Sequence, residues 1–169
     1  MTEIATSPAA DWAGTYEANA LRLTRLATVL VGPDDAHDLV TDAVLRAVHS
    51  ARWSGVESHA AYLTRTLVNL AHDRRLQLTR RESRELRAVR LGRAPAGTTD
   101  DVERLLVRSA MRSLSAGQMA VVFFHYWEDM TVAQIAAQLA VSEGTVRQQL
   151  DRAKRKLREV LAPSKEESR

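Results

Sequence analysis

Residues 131–161 read TVAQIAAQLAVSEGTVRQQLDRAKRKLREVL, and this stretch decides the fold. Thr131, followed three residues later by Gln134, predicts a capping box at the start of a short helix. Ser142 predicts the cap of a second, longer helix whose outer faces are mostly basic. The apolar stripes at helical spacing are Val132, Ile135, Ala136 and Leu139 in the first helix, and Val146, Leu150, Ala153 and Leu157 in the second. Two such helices around a tight turn indicate a helix-turn-helix, whose second helix enters a DNA major groove.

The turn between these two helices consists of Ala140 and Val141. Helix-turn-helix turns usually place glycine at the position of Ala140, because φ is positive there. Alanine costs on the order of 1 kcal/mol in that conformation. The alternative interpretation is a helical hairpin with a solvated basic face. DNA binding is favoured over it because the caps, the turn, the small residue Ala136 and both apolar stripes agree.

The composition indicates an all-α protein with one respectable core or two small ones. The chain has 169 residues, 5% aromatic residues, 7 glycines and 4 prolines. It has no cysteine, which excludes disulfides, thiolate zinc sites and cysteine catalysis. No apolar run is long enough to cross a membrane, and the first residues lack the features of a signal peptide, so we expect a cytoplasmic protein without membrane insertion.

Charge is distributed unevenly along the chain, although the net charge is only +3. Residues 34–45 contain four aspartates and no lysine or arginine. Residues 72–93 contain eight arginines against three acidic residues, a net charge of +5. The basic segments, residues 72–93 and the second helix of the helix-turn-helix, suggest contacts with nucleic acid. The acidic segment suggests a different partner.

Helical spacing and turn signals divide the chain into two helical domains. The first helix extends from Trp12 to Gly32-Pro33, Asp34 or Asp35 caps the second, and a third starts near Ser58. Residues 91–100, LGRAPAGTTD, have the composition of a flexible linker. The predicted organisation is a disordered start at 1–10, a first domain at 11–90, the linker at 91–100, a second domain at 101–162 and a tail at 163–169.

Two groups of residues in the first domain are candidates for chemistry or binding. Asp38 and Asp42 lie four residues apart on the outer face of the second helix. Three interpretations are open: a general acid/base pair, a solvated face, or a docking face for a basic partner. Trp53 and Tyr62 occur among arginines, a combination that suits single-stranded nucleic acid because bases stack on rings. The alternative for both aromatic residues is a place in the core.

Sequence motifs for catalysis, metal ions or cofactors are lacking. The five histidines never form a ligand pair at metal spacing with a supporting carboxylate, and no glycine-rich phosphate loop or nucleophile motif occurs. The sequence therefore predicts a binding protein without cofactor or metal, and not an enzyme. A resolvase-like recombinase is a remote third interpretation, with Tyr62 as the candidate nucleophile.

Three strings together resemble a bacterial sigma factor of the compact extracytoplasmic-function type. They are DDAHDLVTDAVLRAV at 34–48, SHAAYLTRTLVNLAHDRR at 58–75, and LSAGQMAVVFFHYWEDMTVAQIAAQLAVSEGTVRQQLDRAKRKLREVL at 114–161. The resemblance covers roughly residues 12–162, with both halves in the expected order. It implies an alternative sigma factor that binds core RNA polymerase, recognises −35 and −10 promoter elements and promotes DNA opening.

The resemblance also implies partners and site residues. The expected partners are promoter DNA, the clamp helices and flap of core RNA polymerase, and an anti-sigma factor. The polymerase-binding residues would be Asp35, Asp38, Leu39, Thr41, Asp42 and Leu45. The residues that bind and melt the −10 element would be Trp53, Tyr62, Asn69, Arg74, Arg75, Arg80 and Arg81. The residues that meet the −35 element would be Ser142, Glu143, Gly144, Thr145, Arg147, Gln148 and Arg152.

Individual roles follow from side-chain chemistry, and the sequence departs from the family at several points. Arg147 suits a guanine edge, Gln148 an adenine edge, and Ser142 with Thr145 phosphate oxygens. Thr41 stands where the family usually has glutamine, Tyr62 replaces a frequent tryptophan, and the linker is not acidic. The rival function is a free-standing helix-turn-helix regulator that binds duplex DNA without polymerase, with residues 12–90 as a dimerisation or effector domain.

Overall fold

The computed structural model describes residues 8–85 and 110–161, with side chains for 12–77 and 110–161. No strand occurs within these ranges, as predicted for an all-α protein. A 3-10 helix spans Trp53–Gly55, and residues 110–113 are also helical. The longer helices are α1 Pro8–Val31, α2 Pro33–Val48, α3 His59–Glu85, α4 Ala116–Tyr126, α5 Val132–Leu139 and α6 Glu143–Leu161. The predicted linker at 91–100 and the tail at 163–169 lie outside the described residues.

The first half is a bundle of α1, α2 and α3 around one aliphatic core. Helix α1 begins at Pro8, so residues 8–10 are helical and not part of a disordered start. Proline is favoured in the first turn of a helix because its missing N–H needs no partner there. The apolar side chains that each helix buries include Leu23, Leu26 and Leu30 from α1, Leu39, Val40 and Ala43 from α2, and Leu63, Leu67 and Leu70 from α3.

The turn between α1 and α2 is built on Gly32, whose φ of 95° lies in the region that favours glycine. Gly32 is the N-cap of α2, and Pro33 follows at the first helical position. The prediction that Asp34 or Asp35 caps this helix was wrong, because the N-cap is Gly32 and no side chain forms a hydrogen bond at this cap. Both aspartates lie in the first turn, where a negative charge is stabilised by the helix dipole.

The second half contains the predicted helix-turn-helix, formed by α5 and α6 and packed on α4. The capping box at α5 is confirmed: Gln134 N donates to Thr131 Oγ1 at 3.3 Å, and Thr131 N donates to Gln134 Oε1 at 2.8 Å. Ser115 and Gln118 form the same pair of bonds at the start of α4. Ala140 ends α5 with φ 52° and ψ 51°, which confirms the predicted positive φ. The local sequence signals therefore fix both the helix starts and the turn.

Replacing Ala140 by glycine should stabilise the protein. A residue with a Cβ is strained in the left-handed region, and glycine relieves that strain at a smaller entropic cost. We expect the free energy of unfolding to rise by about 0.5–1 kcal/mol in urea titrations. The matched control is Ala137→Gly, an exposed position inside α5, which should lower the free energy by up to about 1 kcal/mol. A loss of stability in Ala140→Gly would contradict the account of the turn.

The two halves share one continuous buried cluster. Leu30 of α1, Leu67 of α3, and Leu114 and Met119 of the second half all belong to it. Helix α3 contacts both α4 and α5, and α1 contacts α4. The first half therefore packs directly against the helix-turn-helix half in this structure.

Candidate promoter and polymerase surfaces

The N-terminal turn of α6 is held by local hydrogen bonds. Thr145 N donates to Ser142 Oγ at 3.1 Å, and the two hydroxyl oxygens lie 2.9 Å apart. This bond is the predicted Ser142 cap. A Cβ added at Gly144 would meet only Ser142 Oγ, at 3.7 Å, so packing within the chain does not require glycine there. The first turn of α6 is thus held by hydrogen bonds at its cap, and there is free space beside the backbone of Gly144.

The outer face of α6 carries the predicted base-reading side chains. Arg147 Nη2 bonds Glu143 Oε2 at 2.6 Å, one helical turn away, and the two side chains are 62% and 47% exposed. An exposed pair of this kind contributes little stability, about 0–1 kcal/mol, but it orients the guanidinium. Gln148 and Arg152 are also exposed. On the opposite stripe of α6, Val146, Leu150 and Ala153 are buried as predicted, and the fourth predicted member, Leu157, is partly buried.

One basic residue of α6 does not belong to the outer surface. Lys156 Nζ donates to the carbonyl of Ser113 at 2.9 Å and so ties the C-terminal part of α6 to the segment before α4. The periodicity of α6 could not identify this partner, because it lies 43 residues away in the sequence. Lys156 therefore serves as an internal contact of the second half, whereas Arg155 and Arg158 nearby are exposed.

Helix α2 presents the predicted acidic face. The side chains of Asp35, Asp38, Thr41, Asp42 and Leu45 are exposed. Leu39 is fully buried in the bundle core, so it supports this face from inside and does not lie on it. Carboxylates around an exposed leucine form a surface suited to a basic partner with an apolar spot.

Two arginines of α3, Arg74 and Arg75, have partners inside the protein. Arg74 forms an ion pair with Asp42, which links the predicted −10 residues to the predicted polymerase face. Arg75 Nη2 donates to the carbonyls of Arg112 at 2.8 Å and Leu114 at 2.9 Å. Burial lowers the pKa of the Arg75 guanidinium, and the charge of Arg112 lowers it further. These partners lie 32 to 39 residues away in sequence, so the spacing of residues could not reveal them.

The two aromatic candidates occupy different environments. Trp53 is 4% exposed, and its ring packs against those of His59 and Tyr62, with centroids 4.3 Å and 6.1 Å away. Contact between Trp53 and a DNA base would require this ring to leave the core. Tyr62 is partly exposed, its hydroxyl donates to Ser50 Oγ at 2.9 Å, and the Arg65 guanidinium lies 5.7 Å from its ring centroid. Only Tyr62 therefore has an accessible ring in this arrangement.

The remaining −10 candidates lie along α3. Asn69 is exposed. Arg80 and Arg81 belong to the helical backbone of α3, and their side chains fall outside those described. Asn69 and the −35 candidate Thr145 line one cleft of about 210 Å³ between the two halves, together with Arg65 and Gln149. Residues predicted to read two separate promoter elements thus come together in one place.

Metal clusters and membrane-spanning helices are both lacking in the part of the chain that the structure describes. Among the described residues, no group of three or more histidine or acidic side chains could hold a metal ion. No helix within the same ranges has the length and hydropathy needed to cross a membrane. The surfaces of opposite charge on α2 and α6 remain the candidate functional features.

Two known protein families match this chain, one in each half. The family described as Sigma-70 region 2 matches residues 15–81, and Sigma-70, region 4 matches residues 104–157. The first match contains the acidic face of α2 together with α3. The second contains the helix-turn-helix.

Two curated relatives and one solved structure extend this comparison. The RNA polymerase sigma-E factor of Streptomyces avermitilis is 34% identical over 140 residues, which cover 76% of this chain and 72% of the relative. The ECF RNA polymerase sigma factor SigL of Mycobacterium tuberculosis is 33% identical over 156 residues, or 86% of each chain.

The structural relative is the sigma factor RpoE of Bartonella quintana, solved in complex with the anti-sigma factor NepR. It superposes with a TM-score of 0.61 and 24% identity, over 89% of this chain and 96% of RpoE. This likeness shows the shared fold. The family matches and the identities to the curated relatives lead to one conclusion: the chain belongs to the extracytoplasmic-function group of bacterial RNA polymerase sigma factors.

Proposed function

We propose that this sigma factor binds core RNA polymerase through the acidic face of α2 and reads the −35 element with the N-terminal half of α6. The observation that carries the proposal is the pair of exposed, oppositely charged surfaces, one in each family match. The acidic side chains of α2 suit a basic groove or helix on the polymerase. The side chains of Arg147, Gln148 and Arg152 suit a DNA major groove.

Within the −35 surface, Arg147 is the proposed reader of a guanine edge and Gln148 of an adenine edge. Both are exposed on α6, and the Arg147 guanidinium forms its ion pair with Glu143 at the surface of the helix. The Ser142 and Thr145 hydroxyls at the cap are proposed to meet phosphate oxygens, which set the register of the helix in the groove. Asn69, Tyr62 and the arginines of α3 are the proposed −10 contacts, with Arg80 and Arg81 meeting the backbone.

Arg147→Ala should change base preference at one position of the −35 element. A bidentate arginine–guanine contact contributes about 1–3 kcal/mol of discrimination, so we expect a roughly 5- to 150-fold loss on the preferred base and little loss on others. Transcription from a promoter library randomised at −35 measures this effect. The matched control is Arg158→Ala, an exposed arginine far from the cap, which should leave the preference unchanged. A uniform loss across all −35 sequences would instead identify Arg147 as a phosphate contact.

Free protein should bind duplex DNA weakly, because one basic helix provides only a handful of phosphate contacts and such binding falls steeply with salt. Polymerase that holds both halves on one promoter raises the effective concentration of each half for its element.

We infer that the protein acts in the cytoplasm, where it directs a catalytic partner and performs no chemistry itself. An anti-sigma factor is a further proposed partner, by analogy with the complex formed by the structural relative.

Polymerase binding distinguishes this function from that of a free-standing helix-turn-helix regulator. We expect the protein to co-elute with core RNA polymerase in gel filtration and to bind duplex DNA weakly without it. Tight binding to a palindromic duplex, together with no association with polymerase, would favour the regulator and make the acidic face of α2 incidental.

A further inference from the structure

Helix α6 begins with an acidic residue in the turn that is proposed to meet DNA. Glu143 is the first residue of α6, and its side chain is 47% exposed. The other acidic residues of α6, Asp151 and Glu159, lie further along the helix. A carboxylate beside a phosphate backbone is repelled by it and lowers the affinity for every DNA sequence. Glu143 is therefore unfavourable for DNA binding unless it has a second effect.

The start of α6 does not depend on Glu143 for its cap. Ser142 supplies the cap, since the backbone N–H of Thr145 donates to Ser142 Oγ at 3.1 Å. The helix dipole favours an acidic residue in the first turn, but only weakly at an exposed position. The more specific effect of Glu143 is its contact with Arg147.

The carboxylate of Glu143 orients the guanidinium of Arg147. Arg147 Nη2 donates to Glu143 Oε2 at 2.6 Å, and the two residues are four positions apart on the helix. The acidic residue precedes the basic one, which is the more favourable order for such a pair. A free arginine side chain samples many rotamers, and the loss of this freedom opposes binding. The ion pair therefore restricts Arg147 before it meets a base.

The guanidinium of Arg147 can contact Glu143 and a guanine at the same time. The contact with Glu143 engages Nη2. A guanidinium has further N–H donors in a fixed planar fork, and a guanine edge accepts hydrogen bonds through O6 and N7. The side chain of Arg147 is 62% exposed, so it is accessible to DNA. Arg147 can thus read a guanine without losing its ion pair.

We propose that Glu143 is a positioning residue that increases the base discrimination of Arg147 and lowers the overall affinity for DNA. This inference rests on the proposed function, since it takes Arg147 as the reader of a guanine edge. The orientation of Arg147 favours only sequences with the preferred base. Repulsion between the Glu143 carboxylate and the phosphates acts on every sequence. The two effects of Glu143 can therefore be measured separately.

Glu143→Gln removes the charge and the ion pair but keeps nearly the same side-chain shape. Holoenzyme formed from the full chain and core RNA polymerase is tested on a promoter library randomised at −35. We expect discrimination at the position read by Arg147 to fall about two- to fivefold, the range that an exposed ion pair can contribute. Transcription from templates with the other bases should rise about twofold at low salt and less at high salt. The control is Glu159→Gln, at an exposed position near the end of α6, which should change neither quantity.

A double variant shows whether Glu143 acts through Arg147. In the Arg147→Ala background, Glu143→Gln should raise transcription from all −35 sequences equally and leave the base preference unchanged. A changed base preference in that background would mean that Glu143 reads a base itself, which would overturn the inference. Unchanged discrimination in Glu143→Gln alone would overturn it as well.

The mobility of the Arg147 side chain provides a test without DNA. In the free protein, NMR relaxation of the Arg147 Nε–H group should show a more rigid side chain in the parent than in Glu143→Gln, with no difference at Arg158. Equal mobility of Arg147 in both proteins would contradict a positioning role. If no transcripts depend on the parent protein, the proposed function fails, whereas a difference in Arg147 mobility would still show that Glu143 orients this side chain.

Discussion

The double variant Asp38→Arg with Asp42→Arg is expected to lose at least about 100-fold in affinity for core RNA polymerase while it remains folded. Both carboxylates are exposed on α2, so the substitutions reverse the charge of the proposed docking face without entering the core. Asp42 also gives up its ion pair with Arg74, but an exposed pair contributes only about 0–1 kcal/mol to stability. Titration of labelled polymerase measures the affinity, and circular dichroism checks the fold.

The matched control makes the same change in charge on another part of the first half. Glu17→Arg with Glu57→Arg alters two exposed carboxylates outside α2. It should bind polymerase within a few-fold of the parent at physiological salt, where distant surface charges are largely screened. Normal affinity in the α2 double variant, or an equal loss in the control, would show that the docking face has been assigned to the wrong surface.

Phe124→Ala is expected to destabilise the protein by about 3–5 kcal/mol. Phe124 is fully buried in α4 and meets Phe123 edge-on, with ring centroids 5.4 Å apart. Truncation leaves a cavity in a cluster that both halves share, so the loss should affect the whole cooperative transition. Such a loss is a large share of the 5–15 kcal/mol that typically holds a domain folded. Urea titration followed by circular dichroism provides the measurement.

Tyr126→Ala provides the comparison on the same helix, because this aromatic side chain is 52% exposed. Its truncation should cost less than about 1 kcal/mol, as at most surface positions. A loss below about 1 kcal/mol in Phe124→Ala as well would mean that α4 does not form the centre of a tightly packed core.

The sequence predicted the features that depend on neighbouring residues. The capping box at Thr131, the positive φ of Ala140 and the buried stripe of α6 each involve residues a few positions apart. Such signals act within a single helix or turn, so they can be recognised without knowledge of the fold. The cap of α2 was misplaced because Pro33 at the first helical position moves the N-cap to Gly32, and the aspartates follow inside the helix.

The sequence did not predict contacts between distant segments. Gln138 and Thr64, which join across the two halves, are 74 residues apart, and the Arg75 bond to Leu114 spans 39. Nothing in the local pattern of α3 distinguishes Arg75, which is engaged by carbonyls, from Arg74, which pairs with Asp42. Trp53 was a candidate for base stacking because it occurs among arginines, and the structure takes the alternative, a place in the core. The local sequence predicted the charged surfaces of α2 and α6. The contacts that individual residues make inside the protein depend on tertiary packing, which local sequence does not reveal.

Transcription with purified components tests the central claim most directly. Core RNA polymerase is incubated with genomic DNA fragments in the presence and absence of this protein, and the transcripts are mapped. The account predicts discrete transcripts that require the protein and start downstream of shared −35 and −10 sequences. Equal transcription with and without the protein, combined with tight binding of the free protein to a palindromic duplex, would contradict it.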